Sequence, residues 1–118
     1  MIDKQLRTFE DFWPHYLAEH LHPVNRALHF LGTSLVYGIA ILGLAQSPRW
    51  FGLAPLVGYG FAWVGHFLVE RNRPATFTYP WWSLRGDFRM HARMLLGRLS
   101  ADLDRARAVS APLPGNAA

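Results

Sequence analysis

Two long apolar stretches of this 118-residue chain each carry one histidine and no acid, lysine or arginine. Ala27 to Ala45 holds His29, and Phe51 to Val69 holds His66. A turn-like Gln46-Ser47-Pro48-Arg49-Trp50 separates them, and the two histidines stand nearly equidistant from Pro48. If the stretches are antiparallel helices, both imidazoles lie at one depth, far from the turn. An ionisable group inside a membrane-length segment is costly and marks a functional site by default. His20 and Glu70 lie just beyond the same end. Glu70 follows His66 by four residues, one helical turn along the same face. The constellation is then His20, His29 and His66 as metal ligands, with Glu70 as a fourth ligand or a partner of a ligand. Neutral imidazole binds zinc, iron, copper and nickel, and carboxylates commonly orient such imidazoles. The chain has no cysteine. That excludes thiolate ligands, disulfides and a cysteine nucleophile. A sulfur-free histidine site with open positions suits oxygen activation by iron(II) or hydrolysis by zinc.

The elements that must position these residues follow from the apolar pattern. Each stretch covers ~19 residues, or ~28 Å as a helix, close to the ~30 Å hydrocarbon core of a bilayer. Leu35–Ala45 and Phe51–Trp63 have no polar face, which a surface helix of a soluble bundle needs. The His29 face continues through Thr33, Val36, Ala40 and Gly43, and the His66 face through Ala62, Gly58 and Pro55. Both are poor in large residues, and small residues let membrane helices approach closely. The rotation that packs the hairpin therefore turns both histidines inward.

Around the hairpin, Phe9, Trp13, Tyr16, Leu17 and His20 recur at helical spacing, predicting a helix from about Thr8 to Leu21. Pro14 fits a first helical turn, and His22-Pro23 breaks the helix. Arg71-Asn72-Arg73-Pro74 ends the second apolar helix, and Ala75 to Trp82 reads as an irregular aromatic connector. From about Ser83 to Ala108, Leu84, Phe88, His91, Leu95, Leu99 and Leu103 form a stripe with the arginines largely off it. This predicts one amphipathic helix, on the membrane surface or packed on the protein itself. His15 and His91 are not expected to be ligands, although His91 could line the site, and His22 is expected to support a ligand or to be structural rather than to bind metal. The fold class is all-α: a membrane helical hairpin with an N-terminal helix and a C-terminal amphipathic interfacial helix. Residues 1–108 form one membrane-embedded domain, and 109–118 a disordered tail.

Lysine and arginine total 12, for a net charge of +4. No basic-aromatic nucleic-acid motif accompanies them, so anionic lipid headgroups are the expected partner and nucleic acid is not. Only Arg49 lies in the turn. The positive-inside rule places both termini and the metal site on the cytoplasmic side of an integral membrane protein. The first 25 residues lack the features of a cleaved signal.

Two runs carry a resemblance. One is Phe12-Trp13-Pro14-x-Tyr16-Leu17-x-x-His20-x-x-Pro23-x-Asn25-Arg26-x-x-His29. The other is Gly65-His66-Phe67-x-x-Glu70-Arg71-Asn72-Arg73-Pro74-Ala75, continued by Ser83-Leu84-x-Gly86-Asp87-Phe88-x-Met90. Together they resemble the small membrane family of 2-hydroxy fatty acid dioxygenases, over about residues 5 to 100. The resemblance implies an Fe(II) enzyme of fatty acid alpha-oxidation, with a 2-hydroxy fatty acid and O2 as substrates and His20, His29 and His66 at the metal. Glu70 and Arg73 are the candidate catalytic side chains. Arg71, Arg73 and Asn25 are the candidates for holding the substrate. Arginine's planar donor fork matches a carboxylate, although Arg71 and Arg73 would serve headgroup binding equally. Two other readings remain open on the residues alone. Histidines at equal depth on facing helices also hold haem in membrane cytochromes, and a hairpin can simply scaffold a membrane.

Overall fold

The computed structural model describes residues 6–109, all of whose regular elements are helical. The first, α1 (Phe9–Ala18), starts at Thr8, whose side chain accepts from the Asp11 N–H at 3.1 Å and satisfies one of the helix's free donors. Pro14 lies inside α1 rather than in its first turn. A link through Glu19–His22 leads to α2 (Pro23–Ala45), where Pro23 takes the first helical position and His22 is the N-cap. The His22 Nδ1 accepts from the Val24 N–H at 3.1 Å, which gives that histidine the expected structural place.

After a 3-10 turn over Pro48–Gly52, the chain returns as α3 (Leu53–Trp63). The expected single helix up to Val69 is not uniform. From Val64 to Glu70 it widens into a π-helical segment and stops at Arg71, which has a left-handed φ of 59°. Such widened turns concentrate at functional sites. Spans Pro23–Ala45 and Pro48–Glu70 are both long and apolar enough to cross a membrane. Little of their surface is covered by the rest of the fold: Leu44 is 83% and Leu56 is 71% exposed. A contiguous apolar exterior of this kind suits lipid rather than water, unlike the core helices of a soluble bundle.

The connector after Arg73 contains a short 3-10 turn, Ala75–Phe77, and then α4 (Pro80–Leu96) begins. The long C-terminal helix expected over Ser83 to Ala108 is two helices. Gly97 takes φ 69°, its N–H donates to the Met94 carbonyl at 3.2 Å, and the Arg98 N–H donates to the Arg93 carbonyl at 2.8 Å. This paired closure ends α4 and suits glycine, which has no Cβ to clash there. The chain then turns back as α5 (Ser100–Val109), which packs on α1. Of the expected tail, Val109 ends α5 and 110–118 lie outside the described residues.

Two layers result. The hairpin is one, and α1, α4 and α5 form the other around Phe12, Trp13, Tyr16, Leu17, Met90 and Leu103. Buried Asp102 ties this cap together, held by Arg93 at 3.1 Å and Arg105 at 2.7 Å. The arginines of α4 turn to α1 as well. Arg85 lies over the Phe9 ring at 4.2 Å, and Arg89 pairs with Glu10 at 3.1 Å. These arginines thus have partners within the protein.

The tightest point of the hairpin is Gly65, where an added Cβ would fall 1.8 Å from the Asn25 Oδ1. A Gly65→Ala change forces the helices apart, and overpacking of this kind costs about 1–3 kcal/mol. Gly38, with nothing within 4 Å of an added Cβ, is the control. Thermal unfolding in detergent should show a lower midpoint for Gly65→Ala and an equal or higher one for Gly38→Ala.

Candidate metal centre

His20, His29 and His66 come together from three elements. Their ligand nitrogens lie within 4.8 Å of one another, and all three side chains are buried. His20 follows α1, His29 sits in the second turn of α2, and His66 lies in the π-helical segment. Ring centroids are 4.5 Å apart for His20–His29, 4.4 Å for His20–His66 and 4.9 Å for His29–His66. The ring planes are nearly mutually perpendicular, at 81°, 83° and 88°.

Hydrogen bonds on the far side of each ring decide what the near side offers. The His20 Nδ1 donates to the Tyr16 carbonyl at 2.6 Å, and the His29 Nδ1 donates to the Asn25 carbonyl at 3.0 Å. The His66 Nδ1 meets the Asn72 Oδ1 at 2.7 Å. The orientation of Asn72 is forced, because its Nδ2 donates to the Glu19 carbonyl at 3.0 Å, leaving oxygen toward His66. Every Nδ1 therefore carries its hydrogen against an acceptor, and every Nε2 is left with a lone pair. Coordination through Nε2 needs this tautomer, and such partners are the usual means of setting it.

The Nε2 atoms of His20 and His29 stand 3.2 Å apart. With both hydrogens on Nδ1, two lone pairs face each other with no donor between them, which is unfavourable unless a cation lies there. Two nitrogens each about 2.1 Å from a metal, at right or tetrahedral angles, are roughly 3.0–3.4 Å apart. The His20–His29 pair thus has the spacing of two ligands on one metal ion, and a His66 nitrogen lies within 4.8 Å of both. Burial, then the neighbouring His66 and His29, holds His20 well below the ordinary histidine range, which keeps it neutral and able to coordinate. Haem does not fit: rings packed edge to face this closely leave no slab for a flat macrocycle between His29 and His66.

Glu70 is not brought to the histidine nitrogens. Its Oε2 accepts from the His22 N–H at 2.6 Å and from the Asn25 Nδ2 at 3.4 Å. The four-residue spacing assumed an α-helix. A π-helical turn needs more residues to return to one face, so Glu70 is rotated away from His66. Asn25 is fully buried under the histidines, against Gly65. Arg71 and Arg73 lie on the exposed surface just past the π-helical segment, and Arg73 stands over the Phe77 ring at 5.2 Å. His91 is away from the cluster, bonded to the Ser34 hydroxyl at 2.9 Å and stacked on Phe30.

Three participants escaped the sequence reading. Asn72 orients His66, although it stands in a quoted motif. Tyr16 supplies the carbonyl for His20, and its ring also stacks on His20 at 4.1 Å. Its hydroxyl donates to the Asp87 Oδ1. Asp87 is raised from 3.8 to about 7 by burial, against the lowering effect of the Tyr16 hydrogen bond. Burial, then the Asp87 charge, holds Tyr16 well above the ordinary phenol range, so it stays a donor. Asp87 and His29 both line a cavity between α2, α3 and α4.

Fold and site together define an all-helical protein whose membrane-length hairpin carries a buried three-histidine cluster able to hold a metal ion. Within that class, the chain belongs to the family described as 2-hydroxy-palmitic acid dioxygenase Mpo1-like, matched over residues 6–99. No curated protein and no solved structure matches it.

Two outcomes follow from this geometry. Asn72→Ala removes the acceptor of His66 and should weaken zinc or iron binding about 10–100-fold in a metal titration, with the helical content unchanged. The raised Asp87 carboxyl means the folded state binds that proton more tightly than the unfolded chain. Its stabilising contribution is complete below the ordinary value of 3.8 and is lost as pH rises to about 7. Asp87→Asn cannot ionise, so thermal unfolding should show wild type losing more stability than the variant across that range.

Proposed function

We propose that this protein is an iron(II)-dependent dioxygenase that shortens 2-hydroxy fatty acids by one carbon. The observation that carries the reading is the buried cluster of three histidines, with ligand nitrogens within 4.8 Å of one another, at one end of a membrane-length hairpin. Membership of the family supplies the reaction class. Imidazole nitrogens suit iron(II), and three protein ligands leave positions open. When bound, the iron supplies redox capacity toward O2 and a positive charge for the carboxylate and hydroxyl oxygens of the substrate. The overall reaction converts the 2-hydroxy acid and O2 to the acid one carbon shorter, CO2 and water. All four electrons taken up by O2 come from the hydroxy acid, so no external reductant is required.

The protein's own groups do the positioning. Tyr16, Asn25 and Asn72 hold the three imidazoles in one tautomer and orientation. Glu70 acts one step further out, by holding Asn25 and the His22 backbone. Arg73 and Arg71, on the surface past the π-helical segment, meet a carboxylate arriving from the membrane interface. Asp87 is a carboxyl that can hold or release a proton near neutral pH beside the cavity. The arginine-rich cap of α1, α4 and α5 faces the cytoplasm together with both termini, and the Ser47 turn faces the opposite side. Membrane lipids surround the hairpin.

The test is metal content measured beside conversion of a 2-hydroxy fatty acid. Anaerobically purified wild type should carry about one iron per chain, and His66→Ala should lose it while still inserting into membranes. Glu70→Gln should lower metal affinity about 10-fold by loosening Asn25 under His29. Arg73→Ala should keep the metal and raise the substrate concentration required. Iron-loaded wild type that shortens no 2-hydroxy acid of any length would remove the enzymatic reading. Labelling of a cysteine placed at Ser47 from the cytoplasmic side alone would reverse the topology.

A further inference from the structure

The cavity between the hairpin and α4 has a volume of about 240 Å³, and His29 forms part of its wall. Thr33 and Val36 of α2, Gly58 and Ala62 of α3, and Leu84 and Phe88 of α4 form the rest of its sides. The one charged side chain on the wall is Asp87. It stands at the histidine end, since its partner Tyr16 stacks on His20. The opposite end reaches Ala54 and Pro55, near the turn of the hairpin. From Ala62 to Ala54 the α3 wall rises roughly 12 Å, less than half of a ~30 Å hydrocarbon core.

The space exists because the helix faces are small. A Cβ on Gly58 would already meet the Val36 Cγ2 at 3.2 Å. Two of its lining residues, Leu84 of α4 and Pro55 of the hairpin, are exposed, so the cavity is open to the surface. A long apolar slot that starts at a polar, metal-competent end and opens to the surface matches one kind of occupant. Its head must coordinate at the histidines, and its tail must be an alkyl chain. A membrane phospholipid has the tail, but its bulky headgroup does not fit at a buried cluster.

We propose that this cavity binds the first part of the substrate's acyl chain, and that the rest of the chain leaves through the Leu84–Pro55 flank into the bilayer. This assignment rests on the functional reading above. It makes the slot a guide rather than a ruler. Chains that fill it gain burial, short chains bind weakly, and chains that overrun it meet no end wall. Each methylene taken out of water adds to affinity until the slot is full.

The experiment uses the full-length zinc-loaded protein in nanodiscs, where binding is read without turnover. A 2-hydroxy fatty acid carrying a photoreactive diazirine near the middle of its chain is crosslinked, and the labelled peptides are identified by mass spectrometry. Label is expected on Val36, Leu84 or Phe88, competed by 2-hydroxypalmitate and not by phospholipid. Gly58→Leu, which fills the slot midway, should weaken 2-hydroxypalmitate binding about tenfold or more, and weaken it more than 2-hydroxybutyrate binding. Leu84→Trp, a surface change at the flank, should weaken binding of long chains without affecting the fold. Label on the outer groove of the hairpin at Leu28, Leu56 and Phe61, or equal labelling by a diazirine phospholipid, overturns the assignment while leaving the functional reading intact. Absence of any 2-hydroxy acid binding removes both.

Discussion

Three hydrogen bonds on the outer edges of three imidazoles constrain everything else in this molecule. Each Nδ1–H is committed to an oxygen that can only accept, so each Nε2 must present its lone pair inward. Those oxygens belong to the last part of α1, the first turn of α2 and the segment after the π-helical turn. The cluster therefore exists only when these elements are docked together. A buried group with no compensating partner costs far more than a hydrogen bond contributes. The cluster and the fold are thus one cooperative unit.

Much of the surrounding architecture serves that docking. Asn72 joins the end of α1 to the π-helical segment through the Glu19 carbonyl. Arg26 donates to the His20 and Leu21 carbonyls at 2.9 and 2.8 Å and fixes the link between α1 and α2. Gly65 lets Asn25 approach the opposite helix, and Gly86 leaves room for the Tyr16 ring, 3.0 Å from where its Cβ would stand. The aromatic cap presses Tyr16 onto His20, and α4 closes one side of the cavity beside His29. The apolar exterior of the hairpin is left uncovered by the rest of the fold.

The helical hairpin was legible because apolar runs of membrane length have few alternatives, and the histidines stood out as the costly exceptions within them. Their convergence followed from matched depth and from small residues on both faces. Glu70 was harder to place. Four-residue spacing puts two side chains on one face only in an α-helix, and no local sequence signal announces that Val64–Glu70 widens. Tyr16 and Asp87 meet across a long sequence separation, which periodicity along one helix cannot reveal. The break at Gly97 did carry a signal, a glycine at the end of an apolar-periodic run. The continuing leucine stripe through Leu99 and Leu103 masked it. Pro14 was placed too early because proline at a helix start is the commoner pattern.

The central claim is that one metal ion is held by the Nε2 atoms of His20, His29 and His66. X-ray absorption spectroscopy at the iron edge, on anaerobically loaded protein, tests it most directly. The account predicts the multiple-scattering signature of three imidazoles, with oxygen at the remaining positions and no sulfur. That signature should be absent from a variant with all three histidines replaced by alanine. An iron environment without imidazole, or one unchanged in the triple variant, would contradict the account.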